Sequence, residues 1–284
     1  MSEQIDSAIA WGAARCAKIS DSAKLDAELL LAHCIDKPRS YLYSWPEQTI
    51  PGIAWRRFQA LIDKRMEPTP IAYLLGQREF FSLNFKTTAV AIVPRPETEL
   101  LVETALDLCP NRANVDLLEL GTGAGIIAIS LKLNHPEINV AATDLSADCL
   151  DLARQNAILH GVNIEWIESD WFSAIDGARR YDIIVSNPPY IAATDPCLKQ
   201  GDLRAEPRDA LSPGKTGLEA LQHIIAAAPD FLTPQGYLLL EHGFDQQENV
   251  ARMMREQRFA GISCRTDING LPRLSIGQWS PGRS

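Results

Sequence analysis

The chain has 284 residues, 46% of them hydrophobic, and 27 Lys and Arg against 36 Asp and Glu give a formal net charge of −9. That length buries a sizeable core and allows two domains, while the acidic balance argues against stable binding to naked duplex DNA, where phosphate contacts dominate affinity. Six cysteines without a CxxC pair, five unclustered histidines, an N-terminus without signal-peptide character and no apolar run near about 20 residues lead us to expect a cytoplasmic protein with free thiols, no metal and no membrane contact.

Residues 1–75 read as a helical domain. Leu25, Leu29, Leu30 and His33 fall near one face of a helix opened by Ser20 or Ser22, and Trp55, Phe58, Leu61, Ile62 and Met66 repeat in a second that ends at Met66-Glu67-Pro68-Thr69-Pro70. The alternation Phe81-Ser82-Leu83-Asn84-Phe85-Lys86 predicts a hairpin linker over 76–88. From 89 to 284, strand and helix signals alternate, which predicts an α/β domain with a doubly wound, mostly parallel sheet.

In that domain the apolar run Val115–Leu118 leads into Glu119-Leu120-Gly121-Thr122-Gly123-Ala124-Gly125 and the helical stretch Ile126–Leu133. Strand, glycine turn and helix follow one another, so the backbone can approach a ligand closely at the N-terminus of a helix. Ile126 occupies the position where a dinucleotide fingerprint needs glycine or alanine, and no GK[ST] tail follows, so a phosphate-binding loop is disfavoured. Nineteen residues past Gly125, Asp144 closes Val140-Ala141-Ala142-Thr143. An acid at the end of the second strand of such a unit accepts hydrogen bonds from ribose hydroxyls, although it also suits the N-cap of a helix over Ala147–Leu159, where Ser146 competes. Ser169-Asp170-Trp171 ends a third strand and offers an acid for an exocyclic amine and an indole for a base face; Trp171 reads equally well as core.

The most informative segment is Asn187-Pro188-Pro189-Tyr190, placed after the strand-like Tyr181–Ser186. A residue before proline is pushed into extended backbone and proline has no N–H, so the elbow projects acceptors: the Asn187 side-chain oxygen and the Pro188 carbonyl. Together they suit the two N–H groups of one planar NH2, with the Tyr190 ring beside them as a flat face. The segment Ile191–Lys215 is long for a connection and is expected to act as a lid over the acceptor channel, ordered by cofactor or partner. Near the end, Asn269-Gly270 predicts a two-residue hairpin turn between Ile262–Ile268 and Arg273–Trp279.

GTGAG, Asp144, Asp170-Trp171 and NPPY together resemble a class I S-adenosylmethionine-dependent methyltransferase with a Rossmann-like fold. Pro94-Arg95-Pro96-Glu97-Thr98-Glu99, Glu206-Pro207-Arg208-Asp209-Ala210-Leu211 and Asn269-Gly270-Leu271-Pro272-Arg273 narrow the resemblance to the HemK/PrmC family, from about Leu25 to Ile276. The resemblance implies transfer of a methyl group from S-adenosyl-L-methionine, leaving S-adenosyl-L-homocysteine, to N5 of the glutamine in the Gly-Gly-Gln motif of peptide chain release factors, and so a part in modulating translation termination. It implies that Gly121, Thr122, Gly123, Ala124, Gly125, Asp144, Trp171 and Asn187 bind the cofactor and that Asn187, Pro188, Pro189 and Tyr190 bind the substrate, with Asn187, Pro188 and Tyr190 acting in catalysis. Glu119, Asp170, Arg95, Glu97 and Glu206 are further candidates, and the helical domain is expected to help recognise the release factor. Two acids at Glu97 and Glu99 are also explained by a helix dipole, and Glu206 and Arg208 by surface charge. Glutamine methylation of a ribosomal protein, adenine N6 methylation of nucleic acid and a non-catalytic cofactor sensor remain the alternatives, the second sharing NPPY but lacking a basic target-recognition region.

Overall fold

A computed structural model describes residues 3–109 and 114–281. Its contacts divide the chain into two units, one formed by 1–77 with 196–206, the other by 78–195 with 207–284.

The first unit contains helices α1 (Ile5–Cys16), α2 (Ala23–Ile35), α3 (Arg39–Ser44), α4 (Gly52–Met66) and α5 (Ile71–Leu75). Ile5, Ala8, Leu30, Leu31, Phe58 and Ile62 form its dry centre. The face expected for α2 is corrected: Leu25 and His33 are exposed, and the buried stripe is Ala27, Leu30, Leu31 and Cys34. Asp26 and Glu28 are buried beside that stripe because each meets a guanidinium, Arg65 at 2.9 Å and Arg39 at 2.9 Å. Periodicity counted only apolar residues, so it rotated the helix away from its two charged inward positions. In α4 the expected stripe is present, with Phe58 and Ile62 at its centre and Arg65 buried next to them. Arg65 also donates to the Thr69 carbonyl at 2.8 Å and to Asp202 at 2.6 Å, so the 3-10 turns at Pro196–Lys199 and Gly201–Ala205 are tied to this unit through a buried cation.

Strands β1 (Gln77–Phe80) and β2 (Leu83–Lys86) pair through a tight turn in which Phe81 and Ser82 take φ values of 52° and 61°. Beyond α6 (Glu99–Asp107) the second unit alternates β3 (Asp116–Leu120), α7 (Ile126–Asn134), β4 (Asn139–Asp144), α8 (Ala147–His160), β5 (Glu165–Glu168) and β6 (Tyr181–Ser186). After α9 (Glu219–Ala227) come β7 (Leu232–Glu241), α10 (Gln247–Glu256), β8 (Phe259–Thr266) and β9 (Pro272–Trp279). The strands lie in the order β5-β4-β3-β6-β7-β9-β8, with β9 antiparallel to both neighbours and the other pairings parallel. Alternate residues face opposite layers, with Leu117, Val140, Ala142, Ile183 and Val185 in one core and Leu118, Leu120, Ala141, Ile184 and Leu240 in the other. Strand order reverses between β3 and β6, the switch point outside whose carboxyl ends ligands bind in open α/β sheets.

The Asn269-Gly270 turn is also corrected. The strands stop at Thr266 and restart at Pro272. The Asp267 carboxylate accepts the backbone N–H groups of Asn269 at 2.9 Å and Leu271 at 3.1 Å, while Ile268 is fully exposed. The Asp267 carboxylate thus takes the Leu271 N–H, which a two-residue turn would have given to the Ile268 carbonyl. In the 191–215 connection, Ile191 N–H donates to Leu211 and Ala193 N–H to Gly214, closing the two ends on each other, and Arg208 donates to the Ala193 carbonyl at 2.7 Å.

Candidate active site

The carboxyl ends of β3 and β4 are stitched together by the glycine loop. Thr122 N–H donates to the Thr143 carbonyl at 2.8 Å, and Gly123 N–H donates to Asp144 Oδ2 at 2.8 Å. Gly121, Gly123 and Gly125 all have positive φ, at 69°, 54° and 80°. At Gly125 the requirement is also steric, since an added Cβ would lie 3.0 Å from Ala153 and 3.1 Å from both Ile129 and Trp166. Asn156, buried in α8, supports the loop by donating to the Ala124 carbonyl at 2.9 Å.

Two carboxyls converge on this loop. Glu119 is buried, its Oε2 accepts from Thr122 Oγ1 at 2.7 Å and from Ala128 N–H at 2.9 Å, and its Oε1 has no partner among the described residues. Burial pushes its pKa up to about 8. By taking the Ala128 N–H, Glu119 occupies a donor at the start of α7 that a phosphate would need, which agrees with the absence of a phosphate fingerprint. Asp144 is half-buried; burial raises its pKa, and the N–H groups of Ser146 and Gly123 act in the opposite sense. Ser146 itself caps α8, accepting from Cys149 N–H at 3.3 Å, so Asp144 is not the cap. Trp171, half-buried at φ 51°, sets its ring edge about 3.6 Å from the space beside Gly121 and packs against the core layer. Asp170 is exposed at the adjacent turn.

Across the switch point, Ser186 at the end of β6 donates to the Leu120 carbonyl at 2.8 Å, which brings Asn187 next to the glycine loop. The Asn187 side-chain nitrogen donates to Thr98 Oγ1 at 3.0 Å. With that end committed, its oxygen is the end left to accept. Pro188 is buried, and the Tyr190 hydroxyl donates to Glu241 Oε1 at 3.2 Å. The Tyr190 carbonyl receives Gln246 Nε2 at 2.9 Å, and Gly217, at φ 78°, lies so close to that carbonyl that no side chain fits there. The elbow is therefore fixed at its entry by Ser186 and Thr98 and at its exit by Gln246 and Gly217.

Arg95 and Glu97 stand by this network: the Arg95 charge acts on the Tyr190 hydroxyl and the Glu97 charge on Glu241. Glu99 turns away, accepting the Phe81 N–H at 2.8 Å. Glu206 is buried and falls in the helical unit. Three residues of the elbow network escaped sequence reasoning: Thr98, Glu241 and Gln246. The Glu241 signal was the same as that of Asp144, an acid closing the apolar run Leu238-Leu239-Leu240. Among the described residues no group of three His, Cys, Asp or Glu can hold a metal, no disulfide is present and no helix is long and apolar enough to cross a membrane.

Residues 7–76 match the PrmC N-terminal domain model and residues 96–200 the methyltransferase small domain model. Over 265 residues the chain is 46% identical to the release factor glutamine methyltransferase of Pseudomonas aeruginosa, covering 92% of this chain and 94% of that protein. It is 41% identical over 276 residues to the protein of the same description from Shewanella oneidensis, covering 97% and 96%. The chain belongs to the release factor glutamine methyltransferase family. Solved structures agree on the fold of this family member: a methyltransferase from Pyrococcus furiosus matches with TM-score 0.54 at 18% identity over 71% of this chain and 91% of its own. The hMettl16 catalytic domain matches with TM-score 0.57 at 16% identity, over 75% and 82%.

Proposed function

We propose that this protein transfers the methyl group of S-adenosyl-L-methionine to N5 of the glutamine in the Gly-Gly-Gln motif of peptide chain release factors, in the cytoplasm, and so modulates translation termination. The observation that carries the reading is the committed Asn187 amide. Its nitrogen is engaged by Thr98, so its oxygen and the Pro188 carbonyl remain as two adjacent acceptors, the complement of one carboxamide NH2.

The residues at the β3 and β4 ends suit the cofactor. Glu119 Oε1 is a buried oxygen without a partner among the described residues, Asp144 ends its strand at the position that suits a ribose diol, and Gly121 leaves its backbone open beside the Trp171 ring. We assign Gly121, Thr122, Gly123, Ala124, Gly125, Asp144, Trp171 and Asn187 to cofactor binding. When bound, the cofactor supplies an electrophilic methyl carbon on a sulfonium.

The protein's own task is positioning. A carboxamide nitrogen is a poor nucleophile because its lone pair is delocalised into the carbonyl, so its approach in line with the breaking C–S bond must be enforced. Hydrogen bonds from both N–H groups to Asn187 and Pro188 hold the nitrogen and favour the positive charge it gains on attack. Pro189 keeps the elbow rigid, and the Tyr190 ring flanks the amide plane. Asn187 is no base near neutral pH, so the proton departs to water after attack has made the nitrogen acidic. Incubating the purified protein with donor and a release factor, followed by peptide mass spectrometry, tests the reading: methyl on the Gly-Gly-Gln glutamine supports it, and methyl only on adenine or on a ribosomal protein overturns it.

A further inference from the structure

Gln246 is the N-cap residue of α10, a position where serine, threonine, aspartate or asparagine would cap the helix, yet its side chain makes no cap bond. The buried amide reaches three backbone groups of the surrounding loops instead. Its Oε1 accepts the Gly243 N–H at 2.9 Å, and its Nε2 donates to the Tyr190 carbonyl at 2.9 Å and to the Gly217 carbonyl at 3.2 Å. We propose that Gln246 is a positioning residue for the acceptor: by pinning the exit of the NPPY elbow, it sets where the Pro188 carbonyl and the Tyr190 ring stand. The inference rests on the methyl transfer proposed above and extends its machinery to a residue outside the elbow.

Two consecutive prolines have no N–H, so Pro188 and Pro189 cannot be held through donors of their own. Each ring fixes its own φ, and Pro189 keeps Pro188 extended. Between the Pro188 and Tyr190 carbonyls, only the ψ of Pro189 and the φ and ψ of Tyr190 stay soft. A segment this stiff passes a displacement of its exit back to the Pro188 carbonyl. A donor brought to the Tyr190 carbonyl from outside therefore holds the whole bend, and Gln246 supplies it.

The neighbours decide which way the Gln246 amide points. Two carbonyls require its NH2 end and one N–H requires its oxygen, so a flipped amide would set N–H against N–H and oxygen against oxygen. The second N–H reaches the far side of the connection that follows the elbow. There Ile191 N–H donates to the Leu211 carbonyl and Ala193 N–H to the Gly214 carbonyl, and the Gly217 carbonyl shares the Gln246 NH2 with Tyr190. One side chain thus joins the elbow, the returning end of that connection and the turn after β7. A purely structural bond would lower stability and leave the turnover of folded molecules unchanged.

The test uses the whole chain with S-adenosyl-L-methionine and a release factor as substrates, in wild type, Gln246→Met and Gln246→Glu, with kcat expressed per folded molecule from circular dichroism. Gln246→Met keeps the length and removes all three bonds. Its kcat is expected to fall about 10- to 100-fold, the scale of one or two lost hydrogen bonds, with a far smaller change in S-adenosyl-L-homocysteine affinity. Gln246→Glu keeps an acceptor for Gly243 but, when ionised, has no donor for the two carbonyls. Its kcat relative to wild type is expected to be lowest at high pH and to recover as pH falls and the carboxyl gains a proton to donate. Taking the ratio cancels groups common to both proteins, such as His242 and Asp245. A second readout needs no turnover. Tyr190-Ile191 is the one Tyr-Ile pair in the sequence, so tyrosine labelled at its carbonyl carbon and isoleucine labelled at its nitrogen isolate the Tyr190 carbonyl by NMR, and its resonance is expected to shift in Gln246→Met. Wild-type turnover per folded Gln246→Met molecule, an unmoved Tyr190 carbonyl resonance, or a Gln246→Glu deficit that does not shrink toward acid pH overturns the assignment. If the wild type fails to methylate the release factor, the proposed function itself falls, whereas the resonance still decides whether Gln246 holds the elbow.

Discussion

Asp144 Oδ2 accepts the backbone N–H of Gly123 at 2.8 Å, so the acid that ends β4 also shapes the loop that leaves β3. In the proposed cofactor site, the ribose and the glycine loop share this one carboxylate. Asp144→Ala is expected to weaken S-adenosyl-L-homocysteine binding by about 2 kcal/mol or more, the cost of losing charge-assisted hydrogen bonds. Isothermal titration calorimetry checks this, and donor-product affinity equal to wild type contradicts the ribose assignment.

Removal of the elbow's acceptor should act on turnover instead. In Asn187→Ala the other residues assigned to the donor are untouched, but the acceptor nitrogen loses one of two positioning bonds and the Thr98 hydroxyl loses its donor. We expect kcat to drop by about 100-fold or more, a far larger loss than that of product affinity. Steady-state kinetics and calorimetry on the same preparation separate the two effects.

Gly217 offers a backbone test of the same elbow. It sits at φ 78° against the Tyr190 carbonyl, with the Gln246 side chain also close by. Gly217→Ala is therefore expected to cost roughly 1–3 kcal/mol of stability and to displace the exit of NPPY. Thermal melts read the first effect, and loss of kcat beyond the loss of folded protein reads the second.

In the helical unit the buried Arg65 meets Asp26, the Thr69 carbonyl and Asp202. Arg65→Ala leaves a buried Asp26 without its cation, for which about 3–5 kcal/mol is the expected loss. Urea unfolding measures it, and limited proteolysis within 196–206 should accelerate as the anchor of that segment disappears.

Glu119 predicts a pH dependence of stability. Its pKa rises from 4.5 to about 8 on folding, so the unfolded chain loses this proton first as pH increases. Its contribution is complete below about pH 4.5 and declines through about pH 8, at up to about 1.4 kcal/mol per pH unit in that window. Glu119→Gln cannot titrate, so its unfolding free energy should fall less steeply between those limits, as denaturant melts at several pH values would show.

Much of the second unit was legible because β3, β4 and β6 are short, largely apolar runs that lead straight to the rim: Glu119-Leu120 before Gly121, Thr143 before Asp144, Ser186 before Asn187. Where side chains rather than backbone decide, the sequence was less informative. The inward Asp26 and Glu28 of α2 are invisible to apolar periodicity, because their partners Arg65 and Arg39 lie 39 and 11 residues away. The Asp267 carboxylate turned an expected two-residue turn into a longer loop. Thr98 carried no signal of its own in RPETE, since only its approach to Asn187, 89 residues further on, gives it a role. Glu241 was readable in principle, as an acid at the end of a leucine run one strand from Asn187.

The central claim is that the Asn187-Pro188 elbow presents a carboxamide nitrogen to the donor methyl. The most direct measurement is site-resolved mass spectrometry of a release factor after reaction with wild type and with Asn187→Ala. The account predicts a 14 Da addition on the Gly-Gly-Gln glutamine that is nearly abolished by the variant. An equal yield from both proteins, or methylation at another residue, would contradict it.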